Sequence, residues 1–264
     1  MDVDQRPPPI LEARRLTVGW GGVPILEDLY LPVERGAVLC VLGGSGTGKS
    51  TLLRALIGLD RPMSGEVIMR VEPDPYLPPE APRLGVLFQS AALFGSMTVL
   101  ENVALPLRRW TDLDPRAIET IARAKLRLVG LESYENHLPA ELSGGMKKRA
   151  GIARAIALEA PLLFLDEPSA GLDPVTSAAL DDLILTLNRN LGITVVIVTH
   201  ELQSVYRIGT DCVLLHRDTK GIVARGRPTV LRDKSKDPRV RAFFHAEHSL
   251  RSSQSDAQPA QVQP

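Results

Sequence analysis

Cysteine is scarce: only Cys40 and Cys212 occur in 264 residues, far apart in the chain and each inside an apolar run. A disulfide framework or a cysteine metal site needs closer or more numerous partners, so both thiols are expected to be small buried hydrophobes in a reducing compartment. Long hydrophobic runs are also missing. The greasiest stretches, such as Pro161 to Leu165 and Ile193 to Val198, have strand length and fall well short of the ~18 apolar residues that cross a bilayer. An excess of either charge is absent too, since Lys plus Arg (31) cancels Asp plus Glu (31). A neutral chain has no general attraction to nucleic acid or to an anionic membrane, so membrane attachment has to come through a specific partner. The opening MDVDQRPPP has neither the basic region and apolar core of a secretion signal nor the Arg/Ser-rich character of a transit peptide. There is no internal repeat.

What is present suits a globular fold. The apolar share of 44% and charged share of 23% are ordinary, and the length allows one sizeable domain, or a large one with a small lobe. Ile10 to Leu31 alternates at strand spacing around Gly19, Gly21 and Gly22, which predicts antiparallel strands joined by a turn. Val38 to Leu42 is an apolar run entering the glycine-rich stretch Gly43 to Gly48, and Thr51 to Leu59 then carries helical spacing. Glu72 to Pro82 holds five prolines and reads as a surface loop, with an adaptor-binding proline ligand as the alternative. Helical patterns follow over Glu101 to Trp110, Pro115 to Val129 and Lys147 to Leu158. Leu162 to Leu165 and Thr194 to Val198 are nearly all apolar, as in a parallel sheet covered on both faces, with the helix Ser177 to Leu191 between them. Residues 1–9 are expected to be flexible, and 251–264, rich in Ser, Gln, Pro and Ala, to be disordered.

Gly43, Gly44, Ser45, Gly46, Thr47, Gly48, Lys49 and Ser50 fit the phosphate-loop pattern G-x-x-x-x-G-K-[ST] in the right strand-then-helix context. Backbone N–H groups curl into an anion nest, and the following helix adds its positive end to the same phosphates. Lys49 can reach the β and γ phosphates, and Ser50 can ligate Mg2+. The strand Leu162 to Leu165 ends in adjacent carboxylates, which suits Asp166 to hold Mg2+ through water and Glu167 to polarise an attacking water.

Leu142-Ser143-Gly144-Gly145-Met146 resembles the LSGGQ signature of ABC transporter ATPases, with Met146 replacing the usual Gln. Ser143 can cap the next helix, while the glycines offer N–H groups to a phosphate. The resemblance covers Leu11 to about Leu231. It implies an α/β fold: a P-loop NTPase core of mainly parallel sheet, an N-terminal antiparallel β lobe, and an inserted α-helical subdomain. The ATPase domain would span 10–231 with the helical part at about 90–160, followed by an extension at 232–250. It implies ATP and Mg2+ as cofactors and a head-to-tail dimer in which Ser143, Gly144 and Gly145 meet the γ-phosphate held by the other copy. Thr51 belongs to the same nucleotide-binding stretch. Gln89 resembles the Q-loop glutamine that senses Mg2+ and water, and His200 the switch histidine at the γ-phosphate. Ser169 to Asp173 resembles the D-loop at the dimer interface. Trp20 stands where the family stacks a ring on adenine, or else packs within its turn. All motifs are present in order, which implies two competent sites per homodimer.

Gln89 to Phe94, Met97 to Val103, Met146 to Ala150, Leu165 to Val175 and Asp237 to Phe244 are similar to ATPases of the Mla/Mce lipid-transport systems. That resemblance implies a membrane permease, a lipid-binding Mce-domain protein and, in some systems, a small STAS-domain regulator. It places the chain on the cytoplasmic side of the bacterial inner membrane, peripheral through its permease, with no nucleic acid. The alternatives are another importer or exporter, a divisome-type regulator, or a DNA-repair ATPase. The last usually carries coiled coils or zinc modules, and Ser50 to Leu142 has no heptads and no cysteines. Phe94 is expected beside the permease's coupling helix, or packed in the helical lobe. Lys147, Lys148 and Arg149 read as a solvated helix face, with phosphate or partner contact as the alternative.

Overall fold

Alternation along single strands sets the layering. In the computed structural model, which describes residues 7–245, β3 (Val38–Leu42) is wholly buried and sends successive side chains to opposite faces. Val38, Cys40 and Leu42 join one apolar cluster, while Leu39 and Val41 join another. The strands β6 (Leu162–Asp166), β7 (Thr194–Val198) and β8 (Asp211–His216) split between the same two clusters. Sequences buried on both faces have no polar side to show, which is why these runs read as continuous apolar segments.

With β5 (Gly85–Leu87) and β9 (Gly221–Gly226) they form a six-stranded sheet in the order β5-β6-β7-β3-β8-β9. All its neighbours are parallel except β8 and β9. A second sheet is antiparallel, in the order β2-β1-β4, from β1 (Leu11–Trp20), β2 (Val23–Val33) and β4 (Ser64–Met69). It packs with α1 (Lys49–Leu56) in the second cluster through Leu16, Leu26, Leu52 and Phe164. The first cluster lies under α2 (Val99–Trp110), α3 (Pro115–Leu128), α4 (Gly144–Ala155), α5 (Pro174–Leu191) and α6 (Leu202–Ile208).

Helix starts fall earlier than periodicity alone suggests, because polar caps precede the apolar pattern. Thr98 and Glu101 form a reciprocal capping box, so α2 starts at Val99 rather than Glu101. Ser143 caps α4 at Gly144 rather than Lys147, and Asp173 with Pro174 starts α5 ahead of Ser177. At the other ends, α1 stops at Leu56 and α4 at Ala155, short of the expected Leu59 and Leu158. Residues 72–82 form no helix or strand, as expected of the proline run.

After α7 (Pro228–Lys234), residues 238–245 are helical and bury Val240 and Phe244 in the first cluster. Most of the N-terminal stretch 1–9 and all of 251–264 lie outside the described residues. Among the described residues, no helix is long and apolar enough to cross a membrane. Cys40 and Cys212 are buried free thiols, neighbours in register across β3 and β8. Burial pushes the Cys212 thiol up to about 12, so it stays protonated and inert.

Candidate active site

Four neighbouring parallel strands, β5, β6, β7 and β3, end at one edge of the sheet, and each hands a predicted site residue to that edge. Gln89 follows β5, Asp166 and Glu167 close β6, His200 follows β7, and Gly43 to Gly48 follow β3. Segments distant in sequence therefore meet because parallel pairing aligns their carboxyl ends, where open α/β sheets bind ligands.

The loop after β3 is shaped by close approach. Gly43 has φ 155°, and a Cβ there would sit 2.9 Å from the Leu215 carbonyl oxygen. Gly48, the N-cap of α1, has φ 94°, and a Cβ there would meet Ile25 at 2.8 Å. No side chain caps α1 and no acidic residue stands in its first turn, so its leading N–H groups and positive end are left for an anion. Lys49 Nζ folds back to donate to the Gly43 and Gly44 carbonyls at 2.7 and 3.0 Å. Its pKa is lowered by burial, against the pull of Glu167 and Asp166. Trp20, at the end of β1, donates from Nε1 to Thr51 Oγ1 at 3.3 Å and keeps about half its surface exposed. The indole thus stands beside the first turn of α1, not packed within its hairpin.

Glu167 is held in an unusual posture. Its φ is 46°, and its N–H donates to the Val198 carbonyl at 2.8 Å. Oε1 lies 2.9 Å from His200 Nδ1, whereas the buried Oε2 has no partner. The His200 pKa is raised, first by the hydrogen bond to Glu167. Burial raises the Asp166 pKa, and the neighbouring Glu167 charge adds to that. Gln89 is exposed, with its carbonyl bound from below by Lys148.

The serine–glycine segment opens α4 (Gly144–Ala155). Ser143 Oγ accepts from Met146 N at 3.3 Å, capping α4, and a Cβ on Gly145 would collide with Thr176. Among the described residues, no hydrogen bond joins Ser143, Gly144 or Gly145 to Gly43–Thr51. Asp173 spends both oxygens on capping α5, through Val175 and Thr176, which lowers its pKa. Nearby, the buried Ser169 hydroxyl has no partner.

One alternative closes and one expectation changes. Phe94 is about half exposed and so is not packed in the helical lobe. Asn102 beneath it is fully buried and ties Phe94, Met97 and Thr98 together by their backbones. Lys148 and Arg149 do not join Lys147 in a solvated face. Lys148 is buried, and Arg149 donates to the Val129 and Ala179 carbonyls at 3.0 and 3.2 Å. The missed signal was helical phase, since Gly145, Lys148 and Ile152 recur on the buried side of α4.

A phosphate loop, a carboxylate pair and a histidine at the carboxyl edge of a parallel sheet define a P-loop nucleoside triphosphatase. The ABC transporter family pattern matches residues 26–170. The "Probable ribonucleotide transport ATP-binding protein mkl" of Mycobacterium leprae is 40% identical over 242 residues, spanning 89% of this chain and 68% of that protein. The "Intermembrane phospholipid transport system ATP-binding protein MlaF" of Escherichia coli K12 is 40% identical over 240 residues, spanning 89% of this chain and 88% of that protein. Among solved structures, the dimeric post-hydrolysis state of the ATP-binding cassette MJ0796 bound to ADP and Pi superposes with a TM-score of 0.71 at 30% identity, over 83% of this chain and 98% of that one. The chain belongs to the ABC transporter ATPases.

Proposed function

We propose that the chain binds ATP with Mg2+ at this edge and hydrolyses it in a head-to-tail pair with a second copy of itself. The pair thereby drives a membrane permease that moves phospholipid or another lipid across a bacterial envelope. The observation that carries the reading is the meeting, at one edge of the sheet, of a complete phosphate loop with Glu167 Oε1 2.9 Å from His200 Nδ1, in a chain whose serine–glycine segment makes no hydrogen bond to that loop among the described residues. Loop and segment are both anion-binding by chemistry, and a second copy is what brings one to the other. The dimeric state of MJ0796 supports it. In this scheme residues 10–231 form the ATPase unit, with the helical part at about 90–160, and 232–250 extend it.

Lys49 exchanges the Gly43 and Gly44 carbonyls for the β and γ phosphates, while the first N–H groups of α1 cradle them. Trp20 stacks on the adenine and Thr51 orients it. The exposed Ser50 hydroxyl, the Asp166 carboxylate acting through water, and Gln89 suit Mg2+. That ion keeps several waters and takes few protein ligands beside phosphate oxygens. Its chemistry there is to neutralise charge on the β and γ phosphates. Glu167 turns its unpartnered Oε2 to the attacking water, while His200 fixes Oε1 and reaches the γ-phosphate. The other copy's Ser143, Gly144 and Gly145 complete the charge cradle, with the Ser169–Asp173 loop alongside.

The lipid reading is supported by the relative named for intermembrane phospholipid transport. It carries with it a permease, an Mce-domain protein, a STAS-domain regulator, and a place on the cytoplasmic side of the inner membrane. The test is to purify the tagged full chain from native membranes and assay its complex. Co-purification with an integral-membrane protein and ATPase stimulation by phospholipid vesicles are expected. Stimulation by ribonucleotides without response to phospholipid would replace the cargo with that named for the mycobacterial relative.

A further inference from the structure

Lys148 is a buried cation without a carboxylate in contact. The residue is 6% exposed, on the inner side of α4, and no ion pair among the described residues includes it. Nζ donates to the Gln89 carbonyl at 2.5 Å and to the Glu167 carbonyl at 3.0 Å. One ammonium on the helix that Ser143 caps therefore bridges the segment after β5 and the segment after β6. Stripping water from an ammonium is costly, and burial lowers the Lys148 pKa against the pull of Asp166 and Glu167, neither of which forms an ion pair with it; the two carbonyl contacts are what its burial returns in geometry.

Both bridged segments are in backbone conformations that need holding. Glu167 has φ 46°, and its peptide is pinned at the N–H by Val198 and at the carbonyl by Lys148. Beyond Gln89, Ala91 and Ala92 have φ 61° and 48°. Their carbonyls accept from Arg154, also on α4, at 3.0 and 2.8 Å. Non-glycine residues persist in that region only where their surroundings over-determine them.

We infer that Lys148 is a positioning residue, a tether that fixes Gln89 relative to Glu167 and passes displacement of the 89–94 segment to the carboxylate beside the attacking water. The inference rests on the roles proposed above for Gln89 and Glu167. A tether of this kind changes how well Glu167 is aimed in the transition state and leaves the phosphate loop intact, so it acts on kcat rather than on nucleotide affinity.

The experiment compares Lys148→Met, Lys148→Arg and Glu167→Gln with wild type in the full chain. It reads kcat and KM for ATP, affinity for a fluorescent ATP analogue, and folding by circular dichroism. Lys148→Met should lower kcat at least about tenfold, about 1.4 kcal/mol of barrier, while KM and analogue affinity stay within about threefold. Lys148→Arg, whose forked donors can span both carbonyls, should restore most of the loss. A folded Met variant with wild-type kcat would overturn the inference, as would Met and Arg variants equally impaired in both kcat and affinity. If the Met variant does not fold, Lys148→Arg exceeding Lys148→Gln in kcat at matched affinity supports the tether, and equality sinks it. Wild-type turnover in Glu167→Gln would instead remove the assignment beneath it. Inactive Glu167→Gln beside unaffected Lys148→Met would reject the tether alone.

Discussion

Glu167→Gln keeps the shape of the side chain and removes its charge, so it separates binding from turnover. In the wild type, Oε1 is occupied by His200 Nδ1 at 2.9 Å, and the buried Oε2 has no partner, the oxygen that the proposed mechanism turns to the water. A neutral amide cannot take a proton from that water. Loss of a positioned general base costs about 10²–10⁴ in rate, and kcat should fall by that factor. Lys49 and the first turn of α1 are untouched, so ATP affinity should stay within about threefold. The same substitution has a second signature. The His200 pKa is raised chiefly by its hydrogen bond to Glu167, so it should move back toward the ordinary histidine value in the variant. Because the folded-state value is raised, the stability this pair adds is fully present below the unfolded histidine pKa. It fades as pH rises through the raised folded-state value. The variant should therefore lose that part of the slope of Tm against pH. Steady-state ATPase assays, equilibrium nucleotide binding and an NMR titration of the His200 ring measure all three. Turnover within about threefold of wild type, or an unmoved His200 titration, would refute the reasoning.

Two other substitutions separate binding from architecture. Lys49→Ala should weaken ATP affinity about 10- to 100-fold, the worth of a charge-assisted bond to phosphate, as read by titration with a fluorescent analogue. Asn102→Leu strips the buried hub under Phe94 and leaves the Phe94, Met97 and Thr98 carbonyls without their amide donor. It should cost about 2 kcal/mol or more in chemical denaturation and loosen residues 94–98 in hydrogen exchange.

The parts of the site legible in the sequence are those whose chemistry dictates a local spacing. Gly43 to Ser50 could be read because a phosphate nest demands glycines before a lysine at a helix start. Asp166 and Glu167 could be read because an apolar strand ends on them. Ser143 is legible as a polar residue before a helix, whereas the Asp173 cap is not, and both helices start earlier than periodicity suggests because caps break the apolar pattern it follows. Nothing local marks Lys148 for burial, because composition alone gives a lysine as solvated. Its burial depends on carbonyls contributed by residues far away in the chain. The spatial neighbourhood of Cys40 and Cys212 was likewise invisible, because it follows from β3 pairing with β8.

The central claim is that two copies share each nucleotide, and inter-chain crosslinking tests it most directly. One population carries Ser45→Cys and the other Gly144→Cys, both at exposed positions, while the buried Cys40 and Cys212 stay silent. Mixed with ATP and Mg2+, they should form a crosslinked heterodimer that is absent without nucleotide. Saturated binding of ATP with no crosslink between the two populations would contradict the account.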